Sequence, residues 1–140
     1  MSGFLGSFRT VARVMNSQAA GSSGVDGSSV DLANFDGVLF IACLGALSAG
    51  QVTKLQADWS DDNSIFNPFS TDAVTAAAAD GDSNKLLILD VFQPGHRYVR
   101  PRIQRMTANA AIDGIIAVMY RAKRGAAAVD PSVSQSALFI

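Results

Sequence analysis

His96 is the only histidine in the chain, and it is the first residue to ask about chemistry. It follows Pro94-Gly95, and the one acid close to it in sequence is Asp90, across the turn. A general base needs a nucleophile and an orienting partner, and the neighbouring sequence supplies neither. A solvated turn residue is the expectation. Two aspartate groups, Asp58-Trp59-Ser60-Asp61-Asp62 and Asp80-Gly81-Asp82-Ser83-Asn84, place oxygen ligands at alternate positions, as the start of an EF-hand loop does. Both then depart from that pattern. The sixth position is Asn63 or Lys85 where glycine is required, and the twelfth is Phe69 or Val91 where glutamate is required. Turn formation accounts for both groups. No phosphate-binding glycine loop, zinc spacing or nucleophile elbow occurs. No catalytic residue, metal ligand or cofactor is therefore assigned, and the expectation is a protein that is not an enzyme.

Arginine is the remaining candidate. Arg97, Arg100, Arg102 and Arg105 are four of the chain's eight arginines and fall within nine residues, with Tyr98 between them. Such a stripe could hold phosphate. A chain of net charge −1 with one interleaved aromatic makes a poor nucleic-acid platform, so neither nucleic acid nor an anionic membrane is the expected partner. Arginine also pairs with carboxylates at protein interfaces, and the stripe reads as a protein-docking face. A solvated edge strand, with arginine warding off aggregation, is the plain alternative.

The elements that position these residues read mostly as strands. The acids are all aspartate, and lysine occurs three times. Aspartate favours turns and caps, whereas glutamate and lysine favour helix interiors. Val38–Leu44 is a continuous apolar run, as in a strand buried on both faces, and Cys43 within it reads as a small buried hydrophobe. Gln51–Trp59 alternates, with Leu55, Ala57 and Trp59 on one side. Ser70–Gly81 is the best helix candidate, capped by Ser70, Thr71 or Asp72 and filled with alanine; a loop is the alternative. Lys85–Phe92 is a strand, followed by a type II turn at Pro94-Gly95. In the next strand, Tyr98–Met106, Val99, Pro101 and Ile103 share one face. Tyr98, Arg100, Arg102 and Gln104 share the other. Pro101 cannot donate to a ladder, which points to an edge strand or a bulge. Ile112–Arg121 is the last strand, with Ile116, Val118 and Tyr120 facing one way. Short strands parted by turn clusters predict an all-β, jelly-roll-like β-sandwich.

Three segments are expected: an N-terminal arm and Gly/Ser-rich tether at 1–27, a sandwich at 28–124, and a C-terminal tail at 125–140. Phe4, Phe8, Arg9 and Arg13 fall in the arm. An ordinary first strand with a loose loop is an equal reading of the same residues. The tail ends in Leu138-Phe139-Ile140, an apolar terminus better explained by docking than by fraying. A single cysteine excludes an internal disulfide. Charged residues make up 16% of the chain, against about 25% in typical soluble domains, which suggests that other chains cover part of the surface. No targeting segment or membrane span is visible, so a soluble, intracellularly made protein is expected.

Several pieces in order resemble the small jelly-roll decoration, or cement, proteins on the capsids of tailed bacteriophages. They are Ser28-Ser29-Val30-Asp31-Leu32 leading into Phe35-Asp36-Gly37-Val38-Leu39-Phe40, then Gly45-Ala46-Leu47-Ser48, then Leu55-Gln56-Ala57-Asp58. Pro94-Gly95-His96-Arg97-Tyr98-Val99-Arg100 and Ala108-Asn109-Ala110 complete the set, which covers about 28–121. The resemblance implies a β-sandwich on the capsid exterior, made in the host cytoplasm, that ties major capsid protein subunits together without catalysis. A homodimer or trimer is the expected form. The contact residues expected from the sequence are the Arg97–Arg105 face with Tyr98, and the two termini. A carbohydrate-binding jelly roll of a tail or fibre is the alternative, with Trp59, Tyr98 and Tyr120 stacking on sugar rings.

Overall fold

The structure is a computed structural model that describes residues 9–69, 75–123 and 130–134. Two antiparallel sheets pack face to face. The first holds β1 (Arg9–Met15), β2 (Gln18–Gly21), β5 (Gly37–Leu47), β9 (Leu86–Phe92) and β11 (Ala110–Tyr120) in the order β1-β11-β5-β9, with β2 continuing β1 along β11. The second holds β3 (Val25–Asp26), β4 (Val30–Asp31), β6 (Val52–Ser60), β7 (Asn67–Pro68), β8 (Thr75–Ala78) and β10 (Tyr98–Met106). There β3 and β4 share one side of β10, and β7 and β8 share the far side of β6. With each interrupted pair taken as one strand, the chain order is first-last-third-sixth in one sheet and second-seventh-fourth-fifth in the other. That is the double Greek key of a jelly roll.

Alternation dictates which side chains fill the space between the sheets. Val38, Phe40, Ala42 and Leu44 of β5, with Leu87, Leu89 and Val91 of β9, meet Leu55, Ala57, Val99 and Ile103 from the opposite sheet. Phe40, Leu55, Val99, Ile103, Ile112 and Ile115 are fully enclosed. Each such side chain stabilises the fold by roughly 1.5–3 kcal/mol over leaving it in water.

Several expectations change. Residues 9–15 are not part of an arm. They form β1, paired along β11 from Arg9↔Tyr120 to Met15↔Ile115, and Ala12, Val14 and Met15 lie in the core. The sandwich therefore begins well before Ser28. The expected helix is replaced over 75–81. Thr75–Ala78 pairs with β6, where Ala76 and Ala78 pack on the core, and a single 3₁₀ turn follows at Asp80–Asp82. Alanine carries no preference strong enough to resist a neighbouring strand. Residues 70–74, the proposed cap, lie outside the described residues.

Pro101 does not mark an edge, because β10 runs between β6 and β3/β4. The Pro101 carbonyl accepts the Gly27 N–H at 2.8 Å, so its backbone polar groups face the β3/β4 side. There the partner strand breaks between Asp26 and Val30, so the N–H that proline lacks falls where the regular ladder ends. The turn at Pro94-Gly95 is present, with Gly95 at φ +79°. It carries the chain from one sheet to the other rather than closing a hairpin.

Candidate functional site

The candidate residues separate onto three surfaces. Arg97, Tyr98, Arg100 and Arg102 lie on the outer face of the second sheet, and each arginine there has an aspartate neighbour. Arg97 holds Asp31 through two nitrogens at 3.0 and 2.9 Å. That contact keeps the Asp31 carboxyl below the usual carboxylate range and raises Arg97 above its own. Arg100 binds Asp58 at 3.1 Å, reaches Asp26 at 3.4 Å and stacks under the Phe66 ring at 4.3 Å. Arg102 lies 3.9 Å from Asp26. Register explains the pairing, since Arg100 sits opposite Asp58 on β6 and Arg102 opposite Asp26 on β3. The stripe is therefore an internally neutralised ladder and not a free basic patch.

Arg105 leaves the candidate face altogether. It is 5% exposed and shares the inward parity of Val99, Pro101 and Ile103. Its guanidinium donates to the carbonyls of Ser23 (2.8 Å), Ala19 (2.9 Å) and Ala110 (2.7 Å). Five N–H donors in a fixed fork suit several carbonyls at once. Arg105 thus ties β2 and the 22–24 connection to both sheets. The parity of the strand was the signal that could have placed it.

Arg9 and Arg13 stand on β1, facing outward from the first sheet. Ser132 Oγ accepts the Arg13 backbone N–H at 2.8 Å. Phe4, Phe8, Leu138, Phe139 and Ile140 lie outside the described residues.

His96 is half-buried. It stacks on Trp59 with centroids 3.7 Å apart, and its Nδ1 lies 2.9 Å from Asp61 Oδ1. Asp62 and Asp82 serve local turns, while Asp58, Asp61 and Asp80 bond residues distant in sequence. Asp62 accepts the N–H groups of Ile65 and Ser64, which, with the Ser60 hydroxyl, hold its carboxyl below the usual range. The Gly50 N–H does the same for Asp80, and the Ala79 N–H for Asp82. Two open clefts flank this end of the sandwich. One, of about 420 Å³, contains His96 but no serine, threonine or cysteine; the other, of about 660 Å³, has hydroxyls but no histidine. The aromatic candidates are dispersed as well. Trp59 is engaged by His96, and Tyr120 stacks with Phe92 on the other sheet.

No known family model and no curated protein matches this chain.

The surface that sequence reasoning missed is the outer face of the first sheet. Its rows run across four strands: Val11, Val118, Leu39 and Asp90 in one, Arg13, Ile116, Ile41 and Ile88 in the next. Cys43 and Leu86 extend it, so Cys43 is half-buried on this face and not sealed in the core. At the other end Phe92 and Tyr120 stack across Gly37. A Cβ on Gly37 would lie 2.7 Å from the Val91 carbonyl and overlap the Tyr120 ring. Leu86, Ile88 and Phe92 are 55%, 53% and 48% exposed. An antiparallel sheet with one solvated face ordinarily alternates apolar with polar. The signal was available in the apolar runs Val38–Leu44 and Leu86–Phe92. A sandwich has only two layers, so a strand that is apolar on both faces turns one side outward, here bordered by Ser132 and Val133 beside Val11, Arg13 and Cys43.

Proposed function

We propose that this chain is a structural virion protein that docks on the exterior of an assembled bacteriophage capsid and cements neighbouring major capsid protein subunits. The observation that carries this reading is the apolar outer face of the first sheet. A contiguous exposed apolar face of this kind marks a surface that another chain covers. The jelly-roll order supports the resemblance to decoration proteins. The neutralised arginine ladder favours a protein neighbour over nucleic acid. Cementing needs no reaction: a protein that binds only the assembled lattice stabilises it by mass action, and many copies sum small contacts into mechanical resistance.

The test uses phage particles. Heads stripped of this protein lose heat resistance and regain it when the purified chain is added back. Unchanged resistance after stripping overturns the proposal.

A further inference from the structure

We propose that the outer face of the first sheet is the docking surface for a second copy of this chain, with the two copies stacked sheet on sheet. This deepens the cementing reading and rests on it only for the premise that the face is covered; with that face closed between two copies, the pair meets the capsid through its other surfaces. Three observations select a second copy as the occupant.

The first is chemical self-match. The middle of the face is aliphatic on four adjacent strands, with Ile41 between Ile116 and Ile88. An aliphatic surface on an identical chain is complementary to it without any change of composition.

The second is charge placement. Arg13 stands on β1 at one edge, and Asp90 stands on β9 at the other. Among the described residues neither belongs to an ion pair within the chain. Among the described residues Asp90 accepts a hydrogen bond from the Tyr120 hydroxyl. A two-fold axis lying in the interface along the strands sets β1 of one copy over β9 of its partner. Rows keep their height under that rotation. Val11 then opposes the partner's Asp90, and Arg13, two residues along the strand, comes beside it. The same contact forms twice, as an isologous interface requires.

The third is size. Four strands about 4.8 Å apart and about seven residues rising about 3.4 Å each give a flat footprint of roughly 450 Å² per copy. Two such faces, with side-chain relief, reach the roughly 1,000 Å² that a specific interface needs. Sheets stacked this way pack about 10 Å apart at roughly 30°.

The experiment is sedimentation velocity on the purified full chain, with no capsid present. The wild type is expected at twice the 14.6 kDa chain mass. Ile88→Asp is expected to raise the dimer Kd at least about 30-fold, as loss of a central contact does. Ile88 points outward, so circular dichroism and thermal unfolding of the monomer should match the wild type. Asp90→Arg and Arg13→Asp each weaken the dimer, and the double variant restores it. A wild type that stays monomeric to about 100 µM, weaker than interfaces of this size usually are, overturns the inference. So does an Ile88→Asp chain that remains dimeric, or a double variant that fails to recover. A monomeric wild type that dimerises once cut after Ser134 would assign the face to residues 135–140 and overturn it too. Add-back of Ile88→Asp to stripped heads is a separate measurement. A chain that restores heat resistance while never dimerising refutes the second copy and leaves cementing intact.

Discussion

Replacing Arg105 by methionine removes a buried charge and three hydrogen bonds together, and the cost can be worked from their surroundings. The Ala110 carbonyl, 2.7 Å from Nη1, is in a fully buried residue and keeps no solvent partner once the guanidinium is gone. An orphaned carbonyl of that kind costs about 1–3 kcal/mol. The Ser23 and Ala19 carbonyls belong to exposed residues and recover water in part, so about 1 kcal/mol each is the expected loss. Methionine refills the volume and escapes the desolvation of a charge. The lost contacts sum to about 3–5 kcal/mol, and with the desolvation relieved the net loss is about 2–4 kcal/mol, a large share of the about 5–15 kcal/mol that holds a typical domain together. Arg105→Lys, with a compact ammonium that cannot span three carbonyls, should lose about 1–3 kcal/mol. Urea unfolding followed by the single tryptophan, Trp59, measures both. Amide exchange adds a local readout, because protection should fall across 18–24 while β9 is unaffected. A methionine variant within about 1 kcal/mol of wild type would refute the clip, as would unchanged exchange at 18–24.

Thr53 is fully enclosed and, among the described residues, its hydroxyl has no partner. Thr53→Val keeps the shape and should raise stability by about 1 kcal/mol, read as a higher urea midpoint at unchanged slope. Stability should also fall at both pH extremes. The carboxyls of Asp31, Asp62, Asp80 and Asp82 are held below their ordinary value in the folded chain. Their contribution is therefore present above the unfolded carboxylate pKa and is lost as pH falls below about 4. Burial, then the hydrogen bond to Asp90, pushes the Tyr120 hydroxyl above its ordinary value. Its contribution is complete below about pH 10 and is lost as pH rises beyond it. Thermal scans from pH 2 to pH 11 should show both limbs, with the alkaline one flattened in Tyr120→Phe.

Where the determinants are local, the sequence is legible. Tyr98–Met106 is a strand over the same residues expected from its alternation, and Val38–Leu44 lies within β5. What escaped reading depends on partners distant in sequence. Pro101 looked like an edge residue because the gap that excuses it lies in another strand, between Asp26 and Val30. Ala76–Ala78 looked helical because alanine favours a helix, a preference of a few tenths of a kcal/mol per residue that pairing with β6 overrides. The arginine stripe looked like a binding face because Asp26, Asp31 and Asp58 are many residues away. The aliphatic outer face was in view as two long apolar runs, and was read as depth of burial when, among the described residues, it is exposed surface.

The strand order has a further consequence, for synthesis. Among the described residues β11 is the last strand of the sandwich, yet it lies inside the first sheet, with β1 and β2 along one side and β5 along the other. During translation β5 has no partner on that side until residues 110–120 emerge. Until then it offers an open edge with apolar side chains on both faces, the form of intermediate most exposed to misassembly. Folding that waits on such distant pairings is slow. On this order the first sheet closes only after residues 110–120 are made, so the solubility of a nascent chain rests on how quickly that strand finds its slot.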